Sequence, residues 1–187
     1  MPYGGGGGGG SGSGSGAAGG TAGGQGGTRA YTSKFMGNRG IFAGGPSSDV
    51  IDYISISTPD NAADFEDLTA ARQYPAGGSN GSRGVFGGGN GVVDTIDYIT
   101  IAVLSAAIDF AELSVARHSA GSASSDTRTL FASGYSGTAN LDAIEYITID
   151  TLADASNFGE ITQSRRYGTG TSDGSRALFG SGYSCRH

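Results

Sequence analysis

Three segments of the chain alternate apolar and polar side chains in the same way. They read IDYISI at 51–56, IDYITI at 96–101 and IEYITI at 144–149, so successive copies begin 45 and 48 residues apart. A sequence period of this size is typical of solenoids and propellers. Glycine, serine, asparagine and aspartate separate the apolar runs, as turns require. The pattern therefore predicts an all-β chain made of repeated units.

Each unit divides into four short runs that we interpret as strands. In the second copy these runs are 72–78, 83–88, 94–102 and 108–113. Runs of this length, bounded by glycine and small polar residues, are typical of β-strands joined by tight turns. We therefore predict four strands per repeat.

The third run of each unit is apolar on both faces. In the first copy Val50, Ile54 and Ile56 share one face, and Ile51 and Tyr53 lie on the other. A sheet wetted on one side shows strict alternation of apolar and polar residues instead. The pattern predicts that this strand belongs to a sheet packed between two other sheets.

Composition divides the chain into two predicted regions. Residues 1–28 are a glycine-rich N-terminal segment without charge, and residues 29–187 form the β-repeat domain, with units at about 29–70, 72–113 and 117–161 and a partial unit at 165–187. Glycine-rich sequence in isolation is a flexible coil. It can also adopt an extended left-handed helix that packs against partner chains. Both interpretations of the N-terminal segment stay open.

Charge and cysteine content exclude several classes of partner. The net charge is −6, and only 15% of residues are charged. Nucleic acid binding needs a positive footprint, and electrostatic attachment to a membrane needs a basic cluster. We therefore expect no nucleic acid partner and no membrane partner. A single cysteine excludes an intrachain disulfide.

The repeated residues resemble the kelch repeat. That repeat has a glycine doublet, an acid–tyrosine pair, an aromatic residue followed by an aliphatic one, and an arginine that opens the next unit. The corresponding residues here are Gly44–Gly45 and Gly87–Gly88, Asp52–Tyr53, Asp97–Tyr98 and Glu145–Tyr146, Phe65, Phe110 and Phe158, and Arg72, Arg117 and Arg165. The resemblance implies a β-propeller with about three and a half four-stranded blades. The chain departs from the family in lacking tryptophan and in having fewer blades than the four to eight of most propellers.

The repeated motifs, in a glycine- and serine-rich context, also resemble those of repeat proteins in tailed-phage virions, such as cyanophage-like tail fibres. This resemblance implies a structural or interaction protein, such as a fibre, appendage or decoration subunit, located in the virion or extracellular. We expect it to associate with copies of itself, and other virion proteins are further candidate partners. The alternative is a lectin-like propeller that recognises a host-surface glycan.

The candidate site residues are structural rather than catalytic. An arginine forks onto a carboxylate through two hydrogen bonds, so we predict repeated ion pairs among Arg72, Arg117, Arg165, Asp52, Asp97 and Glu145. Tyr135 and Tyr183 are candidates for stacking on sugar rings. Two histidines and one cysteine make no credible zinc set. We expect no enzyme activity, no catalytic residue, no metal site and no cofactor.

Overall fold

The computed structural model describes residues 38–184, all within a compact unit that spans Lys34–His187. The glycine-rich segment 1–28 and its predicted extended form lie outside the described residues. Across residues 38–184 the chain is all-β, with thirteen strands and no helix. The all-β class predicted from the sequence is therefore confirmed.

The strands form four antiparallel sheets, in each of which sequence neighbours pair. Sheet 1 contains β1 (Arg39–Gly45), β2 (Ser48–Ser55) and β3 (Ala63–Asp67). Sheet 2 contains β4 (Ala76–Ser79), β5 (Arg83–Gly87), β6 (Thr95–Thr100) and β7 (Ile108–Glu112). Sheet 3 contains β8 (Gly121–Ser124), β9 (Arg128–Ala132), β10 (Leu141–Thr148) and β11 (Ser156–Arg165). Sheet 4 contains β12 (Thr169–Ser172) and β13 (Ala177–Gly180).

The hydrophobic core lies between consecutive sheets. Between sheets 1 and 2 it is formed by Ile51, Phe65, Leu68, Phe86, Ile99 and Ile101. Between sheets 2 and 3 it is formed by Ala76, Val85, Ile96, Phe110, Leu113, Phe131, Ile147 and Ile149. The strand β6 thus contributes Ile96 to one cluster and Ile99 to the other, because alternate side chains point to opposite faces. Sheet 2 is packed between its two neighbours.

Strand β1 of sheet 1 corresponds to the second strands β5, β9 and β13 of the other sheets, so β2 and β3 correspond to their third and fourth strands. At the end of each of these four strands the backbone is left-handed at the same position. Gly44, Gly88, Ser133 and Ser181 have φ of 76°, 69°, 65° and 63°. Glycine adopts this conformation without steric cost, which explains the doublets in the first two units. The next amide then donates to the carbonyl of the following arginine, as Gly89 N does to Arg117 O at 2.9 Å. This bond ties each sheet to the connector that begins the next.

The first predicted run of the second unit is shorter in the structure than in the sequence pattern. The run 72–78 contributes only Ala76–Ser79 to a strand. Tyr74 has a φ of 61°, so the chain turns before the strand begins. Arg72 belongs to the connector between sheets.

The described sheets form no closed propeller. They lie in sequence order with their first strands adjacent, since β8 packs against both β4 and β12. The interpretation of these sheets as propeller blades is taken up below as part of the proposed function.

Candidate functional site

The structure forms two ion pairs among the six residues named in the sequence analysis. Arg72 Nη2 lies 2.7 Å from Asp97 Oδ2, and Arg117 Nη2 binds Glu145 Oε1. All four side chains are almost completely buried. Buried charges require a partner and further hydrogen bonds, because the cost of removing them from water is several kcal/mol per ion. The repeat therefore carries the same ionic contact at equivalent places.

Each buried carboxylate also accepts hydrogen bonds from the connector that carries the arginine. Asp97 accepts from the backbone nitrogen of Thr69 at 3.0 Å and from its hydroxyl at 2.7 Å. Glu145 accepts from the same two groups of Ser114 at 2.9 and 2.8 Å. A hydroxyl residue three positions before the arginine thus completes the carboxylate site. The sequence analysis missed this element, although the spacing Thr/Ser-x-x-Arg was visible.

The connector and the third strand bring these groups together. The arginine lies just before the first strand of its sheet, and the acid lies on the face of the third strand that points towards the preceding sheet. Arg117 further donates to the backbone carbonyls of Ser133 and Ala143 at 3.0 and 3.2 Å. Burial lowers the pKa of the Arg117 guanidinium, and the charge of Glu145 opposes that shift. The arrangement cross-links a connector to two strands, and its burial leaves no access for a substrate.

The remaining two predicted ion-pair residues are not joined to each other. Arg165 donates to the carbonyls of Gln163 and Ser181 at 3.2 and 3.3 Å. It forms no salt bridge with an acid of the described residues. Asp52 lies at the corresponding acid position of sheet 1 and likewise forms no salt bridge within residues 38–184. Neither of these two residues forms an ion pair within the described part of the chain.

A second set of arginines stacks on the tyrosines of the repeat. The guanidinium carbon lies 4.4–4.8 Å from the ring centroid in the pairs Arg39–Tyr53, Arg83–Tyr98 and Arg128–Tyr146. Each of these rings also meets a phenylalanine of the fourth strand edge to face, as Tyr98 meets Phe110 at 5.9 Å. Cation–π contacts of this kind stabilise by roughly 0.5–1 kcal/mol at exposed sites. These tyrosines are occupied by intrachain contacts.

The two candidate glycan-stacking tyrosines lie on either side of one cation. The guanidinium of Arg166 is 4.5 Å from the ring centroid of Tyr135 and 5.2 Å from that of Tyr183. A cluster of rings extends from there through neighbouring connectors. Its further members are Tyr74, Tyr167 and His118, with centroid separations of 5.5–6.2 Å between neighbouring rings. We call this set the aromatic cluster.

The aromatic cluster is built from the positions that follow each connector arginine. Tyr74, Ser119 and Tyr167 are equivalent in the repeat, and all have a left-handed backbone with φ near 60°. Their backbones are joined in a row, since Ser119 N donates to Tyr74 O at 3.2 Å and Tyr167 N donates to Ser119 O at 2.9 Å. Tyr74, Tyr167 and Tyr183 are about half exposed. The arrangement is a partly open aromatic surface beside a cation.

His118 of the aromatic cluster has a shifted pKa. Burial, and to a smaller extent the positive charge of Arg166, lowers the pKa of the His118 imidazole from 6.5. Its Nδ1 lies 2.8 Å from the hydroxyl of Ser119. The imidazole of His118 is therefore neutral at physiological pH.

The described residues contain no group of three or more His, Cys, Asp and Glu side chains able to hold a metal ion. Across the same residues there is no helix of the length and hydropathy needed to cross a membrane. No known protein family model matches this chain, and no curated protein is significantly similar to it in sequence. The molecule is defined, at this level, as an all-β protein of face-packed antiparallel sheets with buried ionic cross-links.

Proposed function

We propose that this chain is a structural or interaction protein that assembles with copies of itself through the faces of its sheets. The observation that carries the proposal is an apolar face of sheet 1. Phe42 and Ile56 are 58% and 68% exposed there. Their equivalents in sheet 2 are Phe86 and Ile101, which are buried against sheet 1. Sheet 1 therefore presents the same kind of face that sheet 2 uses for packing.

The opposite end of the stack carries apolar side chains as well. Phe158 of sheet 3 is 55% exposed, whereas its equivalents Phe65 and Phe110 are buried by a following sheet. Leu178 of sheet 4 is 69% exposed. Exposed apolar patches rimmed by polar residues mark interaction sites. Two different faces that fit each other support a head-to-tail contact, which closes into a ring or continues as a filament.

The sheets are interpreted in this proposal as kelch-like propeller blades. Sheets 1, 2 and 3 correspond to the blades at 29–70, 72–113 and 117–161, and sheet 4 to the partial blade at 165–187. Two chains together supply about seven blades, a ring size within the range of known propellers. A stacked fibre is the alternative assembly. The resemblance to phage repeat proteins favours a virion component, located in the virion or extracellular.

Sedimentation velocity over a range of protein concentrations tests the assembly. We expect a dimer or a larger species that dissociates on dilution, and negative-stain microscopy of that species separates a ring from a fibre. A monomer that persists up to about 100 μM, far above the Kd of a stable specific interface, contradicts the proposal.

A second candidate function is recognition of a carbohydrate, and the aromatic cluster favours it. Tyrosine rings present apolar surface together with a polar hydroxyl group. Arg166 adds five hydrogen-bond donors beside them. A glycan array probed with the native chain and with Tyr167→Ala tests this candidate. Binding that is lost in the variant supports it, and absence of binding by the native chain at any glycan density removes it.

A further inference from the structure

Sheet 4 repeats the first half of sheets 2 and 3. Its strands β12 and β13 correspond to β4 and β5 and to β8 and β9, with Arg165 at the end of β11 and Arg176 immediately before β13. In sheets 2 and 3 a third strand with an acid–tyrosine pair follows on the far side of the second strand. Within the described residues no strand pairs with that edge of β13.

We propose that sheet 4 is an acceptor for an extended segment that carries an acid–tyrosine pair and adds to β13 as a third strand. Addition of a strand to a sheet edge gives affinity through main-chain hydrogen bonds and specificity through pockets for alternate side chains. The proposal names a binding site and the chemistry of its ligand. It does not depend on self-assembly of the chain.

The first specific feature is a carboxylate site in which the arginine is present but no acid of the described residues is bound to it. Arg165 Nη1 donates to Ser181 O, as Arg117 Nη1 donates to Ser133 O in sheet 3. Thr162 stands three residues before Arg165, as Ser114 stands three residues before Arg117. The residue types that hold Glu145 in sheet 3 are thus repeated in the sequence before sheet 4, and Arg165 forms no salt bridge with a carboxylate of the described residues. An acid on the incoming strand completes the set.

The register of the incoming strand follows from sheets 1, 2 and 3, where a strand with an acid–tyrosine pair is present. The acid pairs with the phenylalanine of the second strand in each sheet: Phe42 with Asp52, Phe86 with Asp97 and Phe131 with Glu145. The same register in sheet 4 places the acid opposite Phe179. The tyrosine that follows then lies opposite Leu178.

The second specific feature is Arg176, whose guanidinium covers no aromatic ring of the described residues. Arg39, Arg83 and Arg128 each cover the tyrosine of the third strand. Arg176 stands at the same position of sheet 4, but its side chain is 85% exposed, and its only salt bridge to a described residue is a long one of 3.9 Å to Asp173. The tyrosine of an incoming strand fits beneath it.

The third specific feature is an apolar cleft between sheets 3 and 4. It has a volume of about 670 Å³, and its walls include Leu130, Ile144, Phe158 and Leu178. Ile144 and Phe158 are the equivalents of Ile51 and Phe65, which pack against Ile99 and Ile101 of the next sheet. The cleft therefore lies where two alternate isoleucines of a third strand in sheet 4 would pack, as Ile99 and Ile101 pack against sheet 1. A segment with the sequence Ile-acid-Tyr-Ile-Thr-Ile supplies the acid for Arg165, the tyrosine for Arg176 and the isoleucines for the cleft.

Titration with a synthetic peptide tests the proposal. The peptide has the sequence of residues 94–102, DTIDYITIA, and the labelled full chain is followed by NMR. We expect saturable shifts at the amides of 177–180. A peptide with asparagine at the position of Asp97, the acid of the acid–tyrosine pair, should bind at least about tenfold more weakly, because a charge-assisted hydrogen bond is lost. Arg165→Gln in the protein should remove that difference between the two peptides.

Arg176→Gln tests the tyrosine contact separately. This variant should weaken binding of the native peptide but not of a peptide with leucine in place of tyrosine, whereas Arg39→Gln, at the equivalent position of sheet 1, should change neither. If copies of the chain already fill the site in an oligomer, excess peptide should dissociate that oligomer. The proposal is overturned if the peptide neither binds nor dissociates an oligomer, or if the asparagine peptide binds equally well.

The two proposals fail separately. A monomeric chain that binds the peptide supports the acceptor site and contradicts self-assembly. An oligomer that neither binds the peptide nor dissociates in its presence supports self-assembly and contradicts the acceptor site.

Discussion

Arg117 shows most clearly how a single residue holds two sheets together. Its guanidinium is completely buried and binds Glu145 and three backbone carbonyls. Removing one member of a buried pair leaves an uncompensated charge, at a cost of about 3–5 kcal/mol. We therefore expect Arg117→Met to lower the free energy of unfolding by that amount, measured by urea denaturation. Arg117→Met combined with Glu145→Gln should restore part of the loss.

Arg165 is the matched control for that variant. It occupies the same position of the repeat but binds only two carbonyls. We expect Arg165→Met to cost about 1–3 kcal/mol, the net contribution of two ordinary hydrogen bonds, and therefore less than Arg117→Met. Equal losses in the two variants would show that the carboxylate contributes nothing to stability.

His118 gives the chain a pH-dependent contribution. Burial and Arg166 lower the pKa of its imidazole from 6.5, so the unfolded chain binds a proton more readily than the folded one. The resulting stability is present above the unfolded pKa and is lost as pH falls through the lower folded pKa. Arg166→Gln removes the nearby charge and should raise the pKa of His118, as followed by NMR titration of the ring protons. A pKa that stays the same or falls would exclude Arg166 as a cause.

Sequence pattern locates strands well where both faces of the strand are defined by side chains. The runs 83–88, 94–102 and 108–113 correspond to β5, β6 and β7 within a few residues. The first run fails because the left-handed turn at Tyr74 has no side-chain signature, tyrosine being unusual at positive φ. Arg72 and Asp97 were identified because they recur at fixed spacing. The contact of Arg166 with Tyr135 and Tyr183 joins separate connectors, and no local pattern encodes it.

Close approach of two strands fixes the position of sheet 4. A Cβ added at Gly170 of β12 would meet the carbonyl oxygen of Ser122 in β8 and lie 2.9 Å from the Phe179 ring. Overpacking of this kind costs about 1–3 kcal/mol. We expect Gly170→Ala to loosen sheet 4 from sheet 3, seen as faster hydrogen exchange in β12.

Gly180→Ala is the control for this substitution. Gly180 lies in β13, where an added Cβ meets nothing within 4 Å. Exchange in sheet 4 should be unchanged or slower in this variant. If both substitutions accelerate exchange equally, contact between β12 and β8 is not what holds the sheet in place.

The whole molecule repeats one packing contact between consecutive sheets. The last two isoleucines of the repeated motif, such as Ile99 and Ile101, point to the preceding sheet. Its first isoleucine, such as Ile96, and the aromatic residue of the next strand, such as Phe110, point to the following sheet. Sheet 2 has both contacts filled. Within the described residues, sheet 1 is packed only on the face that points to sheet 2. Phe42 and Ile56 lie on its other face and are exposed. The two ends of the stack therefore carry the two halves of a contact that the molecule already forms internally.

The double variant Phe42→Asp/Ile56→Asp tests whether that exposed face mediates assembly. Burial of each side chain contributes about 1.5–3 kcal/mol, so the variant should weaken self-association at least about tenfold by sedimentation velocity. Val103→Asp/Leu104→Asp is the matched control, because Val103 and Leu104 are about half exposed in the turn after β6. It introduces the same charges elsewhere and should leave assembly unchanged. Equal weakening by both variants would assign the effect to net charge, and no weakening by the first would place the interface on another surface.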